Sequence, residues 1–107
     1  MIFIRYYKDL IVEDNIDIIK AKKLFSRGVS LFNVYAICVS PKTNGLMEIM
    51  STENLLKEVN SYRNYGIIAL VKGRNKARKK SVRLIENWLV THSDLTGFKS
   101  HYNQNSF

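Results

Sequence analysis

YGIIALVKGRNKARKKSVRLIENWLV, residues 65–90, joins a strand-like apolar run to an amphipathic helix. Gly66 to Val71 is a continuous apolar run of strand length, the pattern of a strand covered on both faces. Lys72 and Gly73 then lead directly into an amphipathic helix. Ala77, Ser81, Leu84, Ile85, Trp88 and Leu89 recur at spacings of three and four and predict its buried side. Lys76, Lys79, Lys80 and Arg83 fall on the opposite side, with Arg74 and Arg78 flanking the apolar stripe near the helix start.

Before this stretch, Leu31 to Ser40 (LFNVYAICVS) is the clearest second strand. Val34, Ala36 and Cys38 point one way, Tyr35, Ile37 and Val39 the other, so apolar residues lie on both faces and a central place in the sheet is expected. Pro41 to Gly45 is turn chemistry, with Asn44-Gly45 suited to a hairpin. Leu46 to Met50 returns as a shorter edge strand. Ser51 or Thr52 then caps a short helix to about Asn60, with Leu55, Leu56 and Val59 inward. Ser61 to Tyr65 reads as a loop. Toward the N-terminus, Ile2 to Lys8 alternates as a strand, and Asp9 to Asp14 carries turn and cap residues. A helix is expected from Asp14 or Asn15, with Asp17 in its first turn, to Arg27, stopped by Gly28. Ile18, Ala21, Leu24 and Phe25 are its apolar face.

The order strand, helix, strand, strand, short helix, strand, helix predicts an α+β domain over residues 1–92. The expected sheet is antiparallel, with three or four strands and helices on one face. The ferredoxin-like βαββαβ order with an added C-terminal helix is the leading topology, and a three-stranded sheet without the N-terminal segment is the alternative. Residues 93–107, rich in Ser, Asn and Gly, read as a weakly structured tail.

The chain has 107 residues, of which 46% are hydrophobic and 24% charged, enough to bury a core without cross-links and too apolar for wholesale disorder. A single Cys38 makes no internal disulfide and fits a reducing compartment. The apolar start meets Arg5, Lys8 and Asp9 at once, which is not a signal-peptide pattern, and no run reaches membrane-spanning length. The expected location is the cytoplasm, without membrane insertion.

Charge supplies the functional lead. The net charge is +8, and Lys72, Arg74, Lys76, Arg78, Lys79, Lys80 and Arg83 lie in twelve residues that hold no acid. Outside that window ten cations face nine acids. A focused positive field attracts polyanions, although the same pattern also describes a solvated helix face. Cations at a helix start oppose the macrodipole, which an anion placed there would relieve. DNA or RNA phosphate is the commonest such anion, and Tyr62 and Tyr65 are candidate base-stacking residues. The candidate polyanion-binding set is therefore Lys72, Gly73, Arg74, Lys76, Arg78, Lys79, Lys80 and Arg83. A protein-interaction or regulatory module, self-associating through a sheet face or edge, is the competing expectation. Capture of a small anion at Lys72-Gly73 is a third.

Enzyme chemistry is not expected. His92 and His101, with Asp94 near, make too few ligands for a metal site. Cys38 in mid-strand reads as a small buried hydrophobe. Ser26, Ser30 and Ser81 have no recognisable base. Asp9, Glu13, Asp14 and Asp17 are accounted for by capping and first-turn roles. Gly66 and Gly73 alone do not make a phosphate loop, so no cofactor is expected.

With those residues in view, the chain resembles a family of short proteins of unknown function from Firmicutes, chiefly clostridia. The resemblance rests on YYKDL at 6–10, VYAICVS at 34–40, LMEIMSTENLL at 46–56 and GIIALVKGRNKA at 66–77, which together span most of residues 6–90. It implies no activity and assigns no functional residue. The family pattern tends to carry acids at the start of the last helix, where this chain has Arg74, Asn75 and Lys76.

Overall fold

The computed structural model of the chain describes residues 4–13, 15–58 and 64–107. Its elements are β1 (Arg5–Val12), α1 (Ile18–Ser26), β2 (Val34–Val39), β3 (Glu48–Ser51), α2 (Thr52–Glu58), β4 (Gly66–Lys72), α3 (Arg74–Thr91) and α4 (Phe98–Gln104). The class is α+β, with the N-terminal segment forming a fourth strand. The expectations at Ile2, Phe3, Asp14, Val59, Asn60 and 61–63 lie outside the described residues.

The sheet order is β1-β4-β2-β3. β2 pairs antiparallel with both β3 and β4, whereas β1 runs parallel to β4. The sheet is thus mixed rather than wholly antiparallel. Its first strand lies at an edge, which differs from the ferredoxin-like arrangement, where that strand is internal. β4 is buried along nearly its whole length and takes a neighbour on each side. β1, with exposed Lys8 and Asp9 in its middle, suits the outer position.

Helices cover both faces of the sheet, not one. Ala21 and Phe25 of α1 and Leu55 of α2 pack with Val34, Ala36 and Cys38 on one side. Ala77 and Leu84 of α3 and Phe98 of α4 pack with Ile37, Val39 and Ile68 on the other. Two alternating apolar sets on β2 and β4 need two layers of cover, because either set left in water would forfeit about 25 cal/mol per Å². Within β4 the register slips opposite Ile37 and Cys38, which face Ala69 and Ile67. The extra residue, Ile68, makes a bulge that turns Ile68 and Ala69 to the same side of the sheet.

Local chemistry sets the helix ends. Asp17 is the N-cap of α1, its side chain accepting from the Lys20 N–H at 3.1 Å. The helix therefore starts later than the expected Asp14 or Asn15. Gly28, at φ 78°, follows its last turn as expected. The Ser51 hydroxyl accepts from the Asn54 N–H at the start of α2. β1 continues through Val12, where turn chemistry was expected, because Leu10 and Val12 pack into the α1 side and Ile11 into the α3 side.

The C-terminal segment is not loose. Phe98 is fully buried, and Trp88 and Tyr102 pack on it at ring separations of 5.4 and 4.9 Å. The indole N–H of Trp88 donates to the Asp94 carbonyl, closing the turn between α3 and α4. The last residues then pair with the free edge of β1: Tyr6 N–H donates to Phe107 O, Phe107 N–H to Tyr6 O, and Lys8 N–H to Asn105 O. Arg5 reaches Asn103 and Asn64 from the same strand. Gly66 lets this happen, since a Cβ there would meet Ser106 Oγ at 2.8 Å and Ser106 Cβ at 2.9 Å.

Candidate polyanion interface

Helix α3 begins without a side-chain cap. Gly73 adopts φ 85° and ψ 140°, a region that glycine enters without strain. Its N–H donates to the Asn33 carbonyl at 2.8 Å, and its carbonyl accepts from Ala77 N–H. The first turn of α3 contains no acid. The missing negative charge arrives from the end of β1: the Glu13 carboxylate accepts from the Lys72 N–H at 2.5 Å and from Lys76 Nζ at 3.1 Å. The Lys72 hydrogen bond, followed by that of Lys76, holds the Glu13 carboxyl below its ordinary value.

These contacts lie beside a groove of about 320 Å³ between β1 and α3. Ile11, Val12 and Val71 form its apolar base, and Glu13 lies at one end. Its other wall is Lys76, Lys79, Lys80 and Arg83. Those four positions are i, i+3, i+4 and i+7 of one helix and share a face. Lys76, Lys79 and Arg83 are exposed and Lys80 is half-buried. Among the described residues Lys76 is ion-paired with Glu13, and Lys79, Lys80 and Arg83 form no ion pair.

The eight sequence-derived positions therefore divide. Lys76, Lys79, Lys80 and Arg83 converge on the groove. Arg74 and Arg78 are exposed but line neither it nor the second cavity. Gly73 contributes backbone only. Lys72 faces that second cavity, which it shares with Asp17, Lys20 and Phe32. Two residues escaped the sequence reading. Glu13 resembled a member of a local acidic run, yet it acts 59 residues away in the chain. Phe32 reads as part of a strand, but it stands in the turn before β2 with its side chain in solvent.

The expected base-stacking tyrosines do not serve that purpose at Tyr65, which is buried in the core, and Tyr62 lies outside the described residues. Cys38 is fully buried, and burial, then Glu48, pushes its thiol up. Ser26 and Ser81 spend their hydroxyls on carbonyls of their own helices. His92 stacks on Trp88 at 3.7 Å, and His101 meets the Tyr7 hydroxyl at 3.2 Å. Among the described residues no three His, Cys, Asp or Glu side chains gather as a metal site, and no helix is long and apolar enough to cross a membrane. No protein-family model matches the chain, and neither a curated protein nor a solved structure matches it.

Proposed function

We propose that the protein binds nucleic acid or a related polyanion on the groove face of α3, without catalysis, in the cytoplasm. The observation that carries this reading is the convergence of Lys76, Lys79, Lys80 and Arg83 on one groove where Glu13, the one carboxylate among its described lining residues, is already engaged. Lys79, Lys80 and Arg83, which form no ion pair among the described residues, offer counterion release to a phosphate chain, which supplies most non-specific affinity for nucleic acid. Glu13 neutralises part of the charge at the helix start, so the contact centres on Lys79, Lys80 and Arg83. Fluorescence anisotropy with short labelled DNA and RNA at low salt tests the reading. Wild type binds, and Lys79→Glu with Lys80→Glu abolishes binding while leaving the thermal midpoint intact. Equal binding by the double variant would refute it.

A regulatory or self-associating module is the second reading. It draws on Val82, Leu89 and Val90, exposed by 55%, 44% and 81% along α3, and on β3, which pairs on one side only. Light scattering after size exclusion separates the two: a strict monomer removes the self-associating form.

A further inference from the structure

Phe32 is 98% exposed, the most exposed large apolar side chain among the described residues. A lone exposed apolar residue is ordinary, but this one has cationic company. It forms a wall of a second cavity of about 320 Å³, whose rim includes Lys20 of α1 and Lys72 at the end of β4. Asp17 also lines this cavity, with its carboxylate engaged by the Lys20 N–H. The turn that presents Phe32 is fixed: Asn33 holds φ 58°, and its carbonyl accepts from Gly73 N–H at 2.8 Å. The backbone next to Phe32 is thereby tied to Gly73, the N-cap of α3. Lys72, which lines this cavity, is bonded through its N–H to Glu13, which lines the groove.

We infer that Phe32 is a stacking platform for an unpaired base, and that the preferred ligand is single-stranded nucleic acid. The inference rests on the polyanion reading above and narrows it. The groove cations hold the sugar-phosphate chain. The strand then runs toward the N-terminus of α3, about 15 Å from Arg83 to Gly73 at 1.5 Å per residue, and passes over the Lys72 end of β4 to the α1 side of the sheet. There a base lies on the Phe32 ring with Lys20 and Lys72 beside its phosphates. Stacking on an aromatic face combined with a cationic track is the general chemistry of single-strand binding and needs no base-specific hydrogen bond. A duplex keeps its bases stacked on each other and offers Phe32 none.

The test compares three probes on the full chain at low salt: a labelled pyrimidine oligonucleotide of about ten nucleotides, the same sequence as a duplex, and inorganic polyphosphate. Phe32→Ala, Phe32→Leu and Phe32→Trp are all expected to fold with the wild-type thermal midpoint, because the side chain is in solvent. The Ala and Leu variants weaken oligonucleotide binding roughly tenfold or more, while the Trp variant retains it and polyphosphate affinity stays unchanged in all three. Oligonucleotide binding that survives Phe32→Ala or Phe32→Leu overturns the inference, as does an equal loss for polyphosphate, or a wild type that prefers the duplex. Wild type that binds neither the oligonucleotide nor polyphosphate overturns the polyanion reading as well. Binding of both, indifferent to Phe32, overturns the stacking platform alone.

Discussion

Tyr6 of β1 and Glu13, the residue that follows the strand, show how single side chains serve the rest of the molecule. Glu13 fastens the strand end to α3 and supplies the negative charge that the helix start lacks, at a distance no local pattern reveals. Tyr6 packs into the α1 side of the core, with Lys22 Nζ 4.6 Å over its ring. Burial pushes its hydroxyl up to about 12, and burial raises Tyr7 and Tyr102 in the same direction. Each is neutral when folded and ionises more readily when unfolded, near pH 10. The native state therefore holds more protons between pH 10 and 12. Stability is fully present below pH 10 and falls as pH rises through the folded value. Chemical denaturation between pH 9 and about 12 checks this: wild type loses stability steeply in that window, and Tyr6→Phe loses it less. Identical slopes would mean that the tyrosine ionises equally in both states.

At the scale of elements, β2, β4 and α3 were legible because their apolar residues follow the period of the structure they form. The two apolar sets of β2 even contain the two-faced cover that the one-sided expectation missed. α4 was not legible. SDLTGFKSHYNQNSF looks like a tail by composition, and the only inward signal is Phe98 and Tyr102 at a spacing of four. Its order comes from tertiary burial rather than propensity. Phe98→Ala should accordingly cost about 3–5 kcal/mol, a large share of the roughly 5–15 kcal/mol typical of a domain. Urea unfolding would show this as a lower midpoint at similar slope. A midpoint unchanged from wild type is what a loosely attached tail would give. The basic face of α3 was likewise readable from spacing, since i, i+3, i+4 and i+7 positions share a side. The groove that gives this face a shape was not, because its other wall comes from β1.

At the scale of the whole molecule, strand order was the least legible feature. Pairing β1 with β4 joins segments about sixty residues apart, and no local signal distinguishes that neighbour from another. The result is a four-stranded sheet with α1 and α2 on one face and α3 and α4 on the other. The C-terminal residues pair with β1 at Tyr6 and Lys8, and the basic groove lies against the other end of the same strand. That arrangement leaves the Lys76–Arg83 face open along the groove. Its function is most directly tested by the salt dependence of oligonucleotide affinity. A single strand bound by three or four of these cations should give a slope of log K against log salt of roughly −2 to −3, and Lys79→Ala with Lys80→Ala should make it shallower by about 1.4. An affinity indifferent to salt, or a slope unchanged by the double substitution, would contradict binding at this face.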